Sequence, residues 1–129
     1  MVHIYFDAAT NQEAGENGLG VWVKTTDGTV FTYIAKRVGL TSVQAELAAL
    51  AFALEQAHTL KDESTFMFYS DAETVVRALE QRFLKDQAVR SLFVKALTLY
   101  DELPNKFIKW IPRAENRAHD VAKQALLIG

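Results

Sequence analysis

Cysteine is absent from the 129 residues, which excludes a disulfide framework and a thiolate zinc site. Proline occurs only twice, and with six glycines there is no Pro/Gly-rich linker or low-complexity tract, so a single domain spanning 1–129 is expected. No stretch is long and apolar enough to cross a bilayer or to serve as a secretory signal. The expectation is therefore a soluble, cytoplasmic monomer with no membrane partner. A surplus of positive charge is missing too: 14 Lys and Arg against 16 Asp and Glu leave a formal charge of −2, which argues against binding nucleic acid by bulk electrostatics. The three histidines, His3, His58 and His119, are too scattered for a local metal motif, so any metal must be held mainly by carboxylates.

What is present is a clear alternation of element types. Val2 to Ala8 is rich in β-branched and aromatic residues and reads as a strand. Leu19 to Lys24 and Val30 to Lys36 read as two more, joined at the turn dipeptide Asp27-Gly28. From Thr41 the spacing becomes helical, with a capping-box signal from Thr41 to Gln44 and an apolar stripe of Leu47, Leu50, Ala51 and Leu54. Thr65 to Tyr69 reads as a buried parallel strand, Glu73 to Arg82 and Asp86 to Leu103 as helices, Pro104-Asn105 as a break, Phe107 to Ile111 as a strand and Glu115 to Leu127 as a closing helix. The order β-β-β-α-β-α-α-β-α predicts one mixed α/β domain.

Four acids stand out in that frame. Asp7 interrupts a strand where an unpaired charge is costly, unless it merely caps the turn that follows. Asp71 sits at a strand end, where helix capping alone would also account for it. Glu46 and Asp120, taken singly, read as solvated helix acids. Together they say more, because a parallel crossover pairing the strands of Asp7 and Asp71 lets two helices bring Glu46 and Asp120 to the same end of the sheet. Clustered carboxylates repel one another unless protons or cations compensate, and hard divalent ions prefer oxygen ligands. Two-metal phosphodiester cleavage, with ions about 4 Å apart, suits such a cluster.

At this point the chain resembles the type 1 ribonuclease H family, in its compact bacterial and archaeal form. The motifs run in order: IYFDAAT from Ile4 followed by GENGLGVWV, TSVQAELAALAFAL from Thr41, FYSDAETVVRAL from Phe68, and FIKWIPRAENRAHDVAKQAL from Phe107. The resemblance implies the ribonuclease H fold, a mixed five-stranded sheet of three antiparallel and two parallel strands with helices on both faces. It implies an endonuclease for the RNA strand of RNA/DNA hybrids, with Asp7, Glu46, Asp71 and Asp120 as catalytic ligands to two Mg²⁺ ions, and Mn²⁺ as a substitute. It implies Arg113 as proton carrier or phosphate contact, and Ala8, Ser42, Gln44 and Asn116 on the substrate side. His119 reads as a solvated neighbour of Asp120, since successive helical residues point about 100° apart.

The chain also departs from the family pattern. Ala8-Ala9 stands where many members have Gly-Ser, Ala72 where they have Ser, and Ser42-Val43 where they carry asparagines that contact the backbone around the ribose hydroxyls. Glu13 and Glu16 lie in the first loop near the expected phosphate path, while Arg77, Arg82, Lys85, Arg90 and Lys95 are interleaved with Phe83 and Phe93 where larger members carry a basic handle. Trp22 and Trp110 read as core or sheet-face residues. The alternative function is a catalytically weak or inactive ribonuclease H-like module that binds nucleic acid or protein. DNA-cleaving relatives of the same fold are a more distant choice.

Overall fold

Alternation along the first strand sets the architecture. In β1 (Val2–Asn11), Val2, Ile4 and Phe6 are fully buried while His3 and Tyr5 are half-exposed, as a period of two requires of a sheet with unequal faces. The computed structural model describes residues 1–60 and 65–128. β1 pairs antiparallel with β2 (Glu16–Lys24), which pairs antiparallel with β3 (Val30–Val38); Gly28, at φ 88°, supplies the left-handed residue of the connecting turn. On the other side β1 pairs parallel with β4 (Thr65–Ser70), and β4 with β5 (Asn105–Trp110), giving the order β3-β2-β1-β4-β5. This is the mixed five-stranded sheet expected from the sequence.

One face is covered by α1 (Ser42–His58), whose Ala45, Ala49, Ala53 and Ala57 stand among Leu47, Leu50 and Leu54 and let the helix sit close to the sheet. Thr41 caps it through the expected box: its hydroxyl accepts from Gln44 N, and Gln44 Oε1 accepts from Thr41 N at 2.8 Å. α2 (Glu73–Gln81) and α3 (Arg90–Asp101) complete that layer. The helices are shorter than the periodicity predicts, because Arg82 turns to φ 59° after α2, and Asp86 caps a separate 3-10 turn, Gln87–Val89, before α3. The break falls one residue earlier than expected, since Asn105 already begins β5.

The opposite face carries α4 (His119–Ala125), which rests on β2 where Gly18 and Gly20 leave room. A Cβ on Gly20 would lie inside the contact distance of the Ala122 backbone, so glycine is what lets helix and strand touch here. α4 begins four residues later than the expected start at Glu115. Arg113–Glu115 forms a 3-10 turn, and Asn116 is extended at φ −80°, ψ 105°. No helix among the described residues is long and apolar enough to cross a membrane.

Candidate active site

Parallel pairing sets the first two acids side by side. Tyr5 pairs with Tyr69, so two residues further along each strand Asp7 and Asp71 emerge at the same end of the sheet. Asp7 is 3% exposed and lies within β1 opposite Gly20, so it caps no turn. Asp71 caps no helix either: the N-cap of α2 is Ala72, without a side-chain bond, and Asp71 Oδ1 instead accepts from Asn116 Nδ2 at 2.8 Å.

Glu46 reaches the same place from the second turn of α1. Its Oε2 is buried and has no hydrogen-bond partner. Burial, and then the charges of Asp7 and Asp71, push its carboxyl up to about 8, with Arg113 pulling the other way. Burial and Asp71 raise Asp7 as well, against the stabilising contact of His119. These three acids line a cleft of about 360 Å³ together with Ala8, Ser42, Arg113, His119 and Lys123.

Asp120 is not among them. It is exposed, while His119 points inward and its Nδ1 lies 3.0 Å from Asp7 Oδ2. α4 starts at His119 and buries Val121, Ala122 and Ala125, and Asp120 lies on its exposed side. Beside the three acids the structure places the His119 imidazole, and the expected fourth carboxylate, Asp120, lies outside this cleft.

Two residues expected on the substrate side have partners within the fold. Gln44 spends its side-chain oxygen on the Thr41 cap. Asn116 is 5% exposed and fully engaged: Nδ2 donates to Phe6 O at 3.0 Å and to Asp71, and Oδ1 accepts from Ala118 N. It orients Asp71 and anchors the closing segment. Lys123, which no motif or spacing singles out, contributes a cation one helical turn beyond His119.

The remaining charges are largely settled. Glu16 pairs with Lys36 at 3.0 Å, which removes part of the repulsion expected of the first loop. Arg77 pairs with Glu73, Arg82 with Asp101, and Arg90 lies over the Phe83 ring. Phe93 is core, while Phe83 is exposed.

Among the described residues no three acids or histidines already form a coordination shell, since Asp7 faces His119 and Asp71 faces Asn116. The donor set nevertheless suits a divalent cation, because Glu46 Oε2 is a buried oxygen without a proton donor between two other carboxylates. A pH dependence follows. Between the ordinary carboxyl value of 4.5 and about 8 the folded chain keeps a proton on Glu46 that the unfolded chain has released, so metal-free stability falls as pH rises through that window. Glu46→Gln is expected to melt on the order of 3 °C higher than wild type near pH 8 in chelator, roughly 1 kcal/mol, and no higher near pH 4. Melting curves across that range check it.

The whole chain is similar to known proteins. The reverse transcriptase-like family matches residues 5–125. The chain belongs to that family. A relative, the Enterococcus faecalis protein named "Putative hydrolase EbsB", is 30% identical over 98% of this chain and 94% of its own. Among solved structures, ribonuclease H1 from the archaeon Halobacterium salinarum is 28% identical with a TM-score of 0.85, covering 97% of this chain and 96% of that one. The N-terminal ribonuclease H domain of a Mycobacterium tuberculosis protein is 27% identical with a TM-score of 0.86, over 97% and 92%. The ribonuclease H1 named LC11, solved with an RNA/DNA hybrid, is 25% identical with a TM-score of 0.85, over 97% and 96%. The fold of this reverse transcriptase-like chain is that of type 1 ribonuclease H, and the family and its relatives support a hydrolase, a nuclease of the ribonuclease H type.

Proposed function

We propose that the chain is a metal-dependent endoribonuclease that hydrolyses the RNA strand of RNA/DNA hybrids. The observation that carries this reading is Glu46 Oε2, buried without a partner between Asp7 and Asp71 at the end of a ribonuclease H sheet. The hybrid bound to the LC11 relative supports the choice of substrate.

Asp7, Glu46 and Asp71 would hold divalent ions, Mg²⁺ with Mn²⁺ as a substitute, which supply water activation and charge neutralisation at the scissile phosphate. Asn116 fixes the rotamer of Asp71, and His119 fixes that of Asp7, so two of the three carboxylates are oriented before substrate arrives. Arg113 and Lys123 stand at the cleft rim, where an approaching phosphate meets positive charge ahead of the buried acids. Ser42, exposed at the start of α1 and lining the cleft, offers a hydroxyl on the substrate side.

Cleavage of an end-labelled hybrid in Mg²⁺ and in Mn²⁺, with double-stranded RNA and DNA as controls, tests the reading; cutting confined to the RNA of the hybrid is expected. The placing of His119 in the cleft, with Asp120 outside it, gives a sharper comparison. His119→Ala is expected to lower kcat/KM by about 10- to 100-fold, the usual cost of removing a group that orients a ligand, while Asp120→Asn stays within about twofold of wild type. The reverse ranking would return the fourth role to Asp120.

A second reading is favoured by the small pocket beside Glu46, where Val43 and Ala72 present no hydrogen-bond donor from their side chains. In it the chain binds the hybrid without cutting. Tight binding with no turnover in either ion would select it.

A further inference from the structure

On the face that carries α4, the sheet holds a second feature. Trp22, Tyr5, Tyr69 and Lys109 are consecutive register partners on β2, β1, β4 and β5, so three aromatic rings and a lysine form one row across four strands. At the usual spacing of neighbouring strands the row is about 14 Å long. Tyr5 and Tyr69 are stacked, with centroids 4.3 Å apart and planes 15° apart, and Trp22 meets Tyr5 edge-on at 5.4 Å. Tyr69 is held further by His3, whose Nδ1 lies 2.7 Å from the phenol oxygen. α4 covers the glycines of β2 but not this row, whose rings remain half-exposed and lie outside the main core cluster.

The loop that follows β5 closes Tyr5, Tyr69 and Lys109 into a cavity of about 510 Å³, larger than the cleft over the carboxylates, with Trp22 beside it. Arg117 roofs it, its guanidinium 4.9 Å from the Trp22 ring and 5.9 Å from that of Tyr5. Among the described residues Arg117 meets only ring faces, and Lys109 has no hydrogen-bond or ion-pair partner. Two unpaired cations thus border a wall of preoriented rings.

We propose that this aromatic row binds a short single-stranded segment of nucleic acid, two or three nucleotides long, beside the carboxylate cleft. Bases stack on aromatic faces whatever their identity: one can lie on the face of Tyr69 turned away from Tyr5, another on Trp22 once Arg117 swings from that ring to a phosphate, and the row is long enough for both. An apolar protein surface would instead bury Lys109 and Arg117 without counter-charges. Glu115, on the cavity rim, opposes phosphate and limits affinity. Tyr5 and Tyr69 precede Asp7 and Asp71 by two residues on the same strands, so the bound segment lies about 7 Å along the sheet from the acids, in the position of an unpaired tail flanking a duplex.

The test is fluorescence anisotropy with a labelled single strand of about ten nucleotides, at low salt and in chelator, so that neither metal nor cleavage enters. Wild type is expected to bind with quenching of tryptophan emission. Tyr69→Leu is expected to weaken binding about 10-fold, and Lys109→Glu by about 5- to 10-fold. Lys109 is exposed and unpaired, so its variant tests the row even if Tyr69→Leu folds poorly. Lys95→Glu, an exposed cation on α3, is the control for bulk charge and should have little effect. Absence of binding, equal losses for Lys95→Glu and Lys109→Glu, or an affinity for AMP equal to that for the strand would overturn the proposal.

Discussion

Asp7→Asn is expected to abolish metal-dependent cleavage of the hybrid, by on the order of a thousandfold or more, without lowering the melting temperature of the metal-free protein. The two halves of this result have one cause. Asp7 is 3% exposed and lies beside Asp71 and Glu46, so in the absence of a cation its charge is a liability to the fold. Asparagine keeps the shape and can still accept from His119, yet it removes a negative charge from the pair of aspartates. Each remaining carboxyl then ionises more readily, and the melt of the variant in chelator should be unchanged or higher. The same substitution removes an anionic oxygen from the centre of the proposed ion site. Cleavage assays paired with melts in chelator separate this from damage: a variant that loses both stability and activity would place Asp7 in the scaffold instead, and undiminished turnover would end the nuclease assignment of the cluster.

Gly20→Ala should be the most damaging single methyl group in the chain. The added Cβ would crowd the Ala122 nitrogen, with Ala122 Cα and the Val121 carbonyl carbon each 2.8 Å away, and all three are backbone atoms that no rotamer change can move. α4 must lift from β2. Overpacking against a rigid backbone costs about 3 kcal/mol, so the melting temperature should fall by roughly 10 °C. Activity should fall as well in the fraction that stays folded, because His119 is the first residue of α4 and moves with it. Gly15→Ala is the contrast: its φ of 65° is strained for alanine, but nothing lies within 4 Å, so a loss near 1 kcal/mol is expected. Thermal melts of the two variants side by side check the ranking.

Where local pattern and tertiary contact agree, the sequence was a good guide. The alternation of Val2, Ile4 and Phe6 and the Thr41–Gln44 box are local signals that act in the fold as they read in the chain, and in the Asp27-Gly28 turn Gly28 alone takes the positive φ expected of the pair. The convergence of Asp7, Glu46 and Asp71 followed from topology, since parallel neighbours end at the same edge. The closing segment was misread because its helix start is decided by a distant contact. Asn116 turns away from helical geometry to reach Phe6 O and Asp71, and nothing within Glu115 to Asp120 announces that bond. The aromatic row was equally hidden, because Tyr5, Trp22, Tyr69 and Lys109 become neighbours only through strand register.

The bonds of Asn116 bear on how this protein is made. One amide joins the first strand, the acid after the fourth and the start of the last helix, which lie 110 and 45 residues apart from it in the chain. During synthesis the first three strands and α1 leave the ribosome well before that amide exists, so the nascent chain carries Asp7 and Glu46 but cannot yet orient Asp71 or present His119. The orientation of Asp71 and the placing of His119 beside Asp7 therefore arrive together and late, when the closing segment docks.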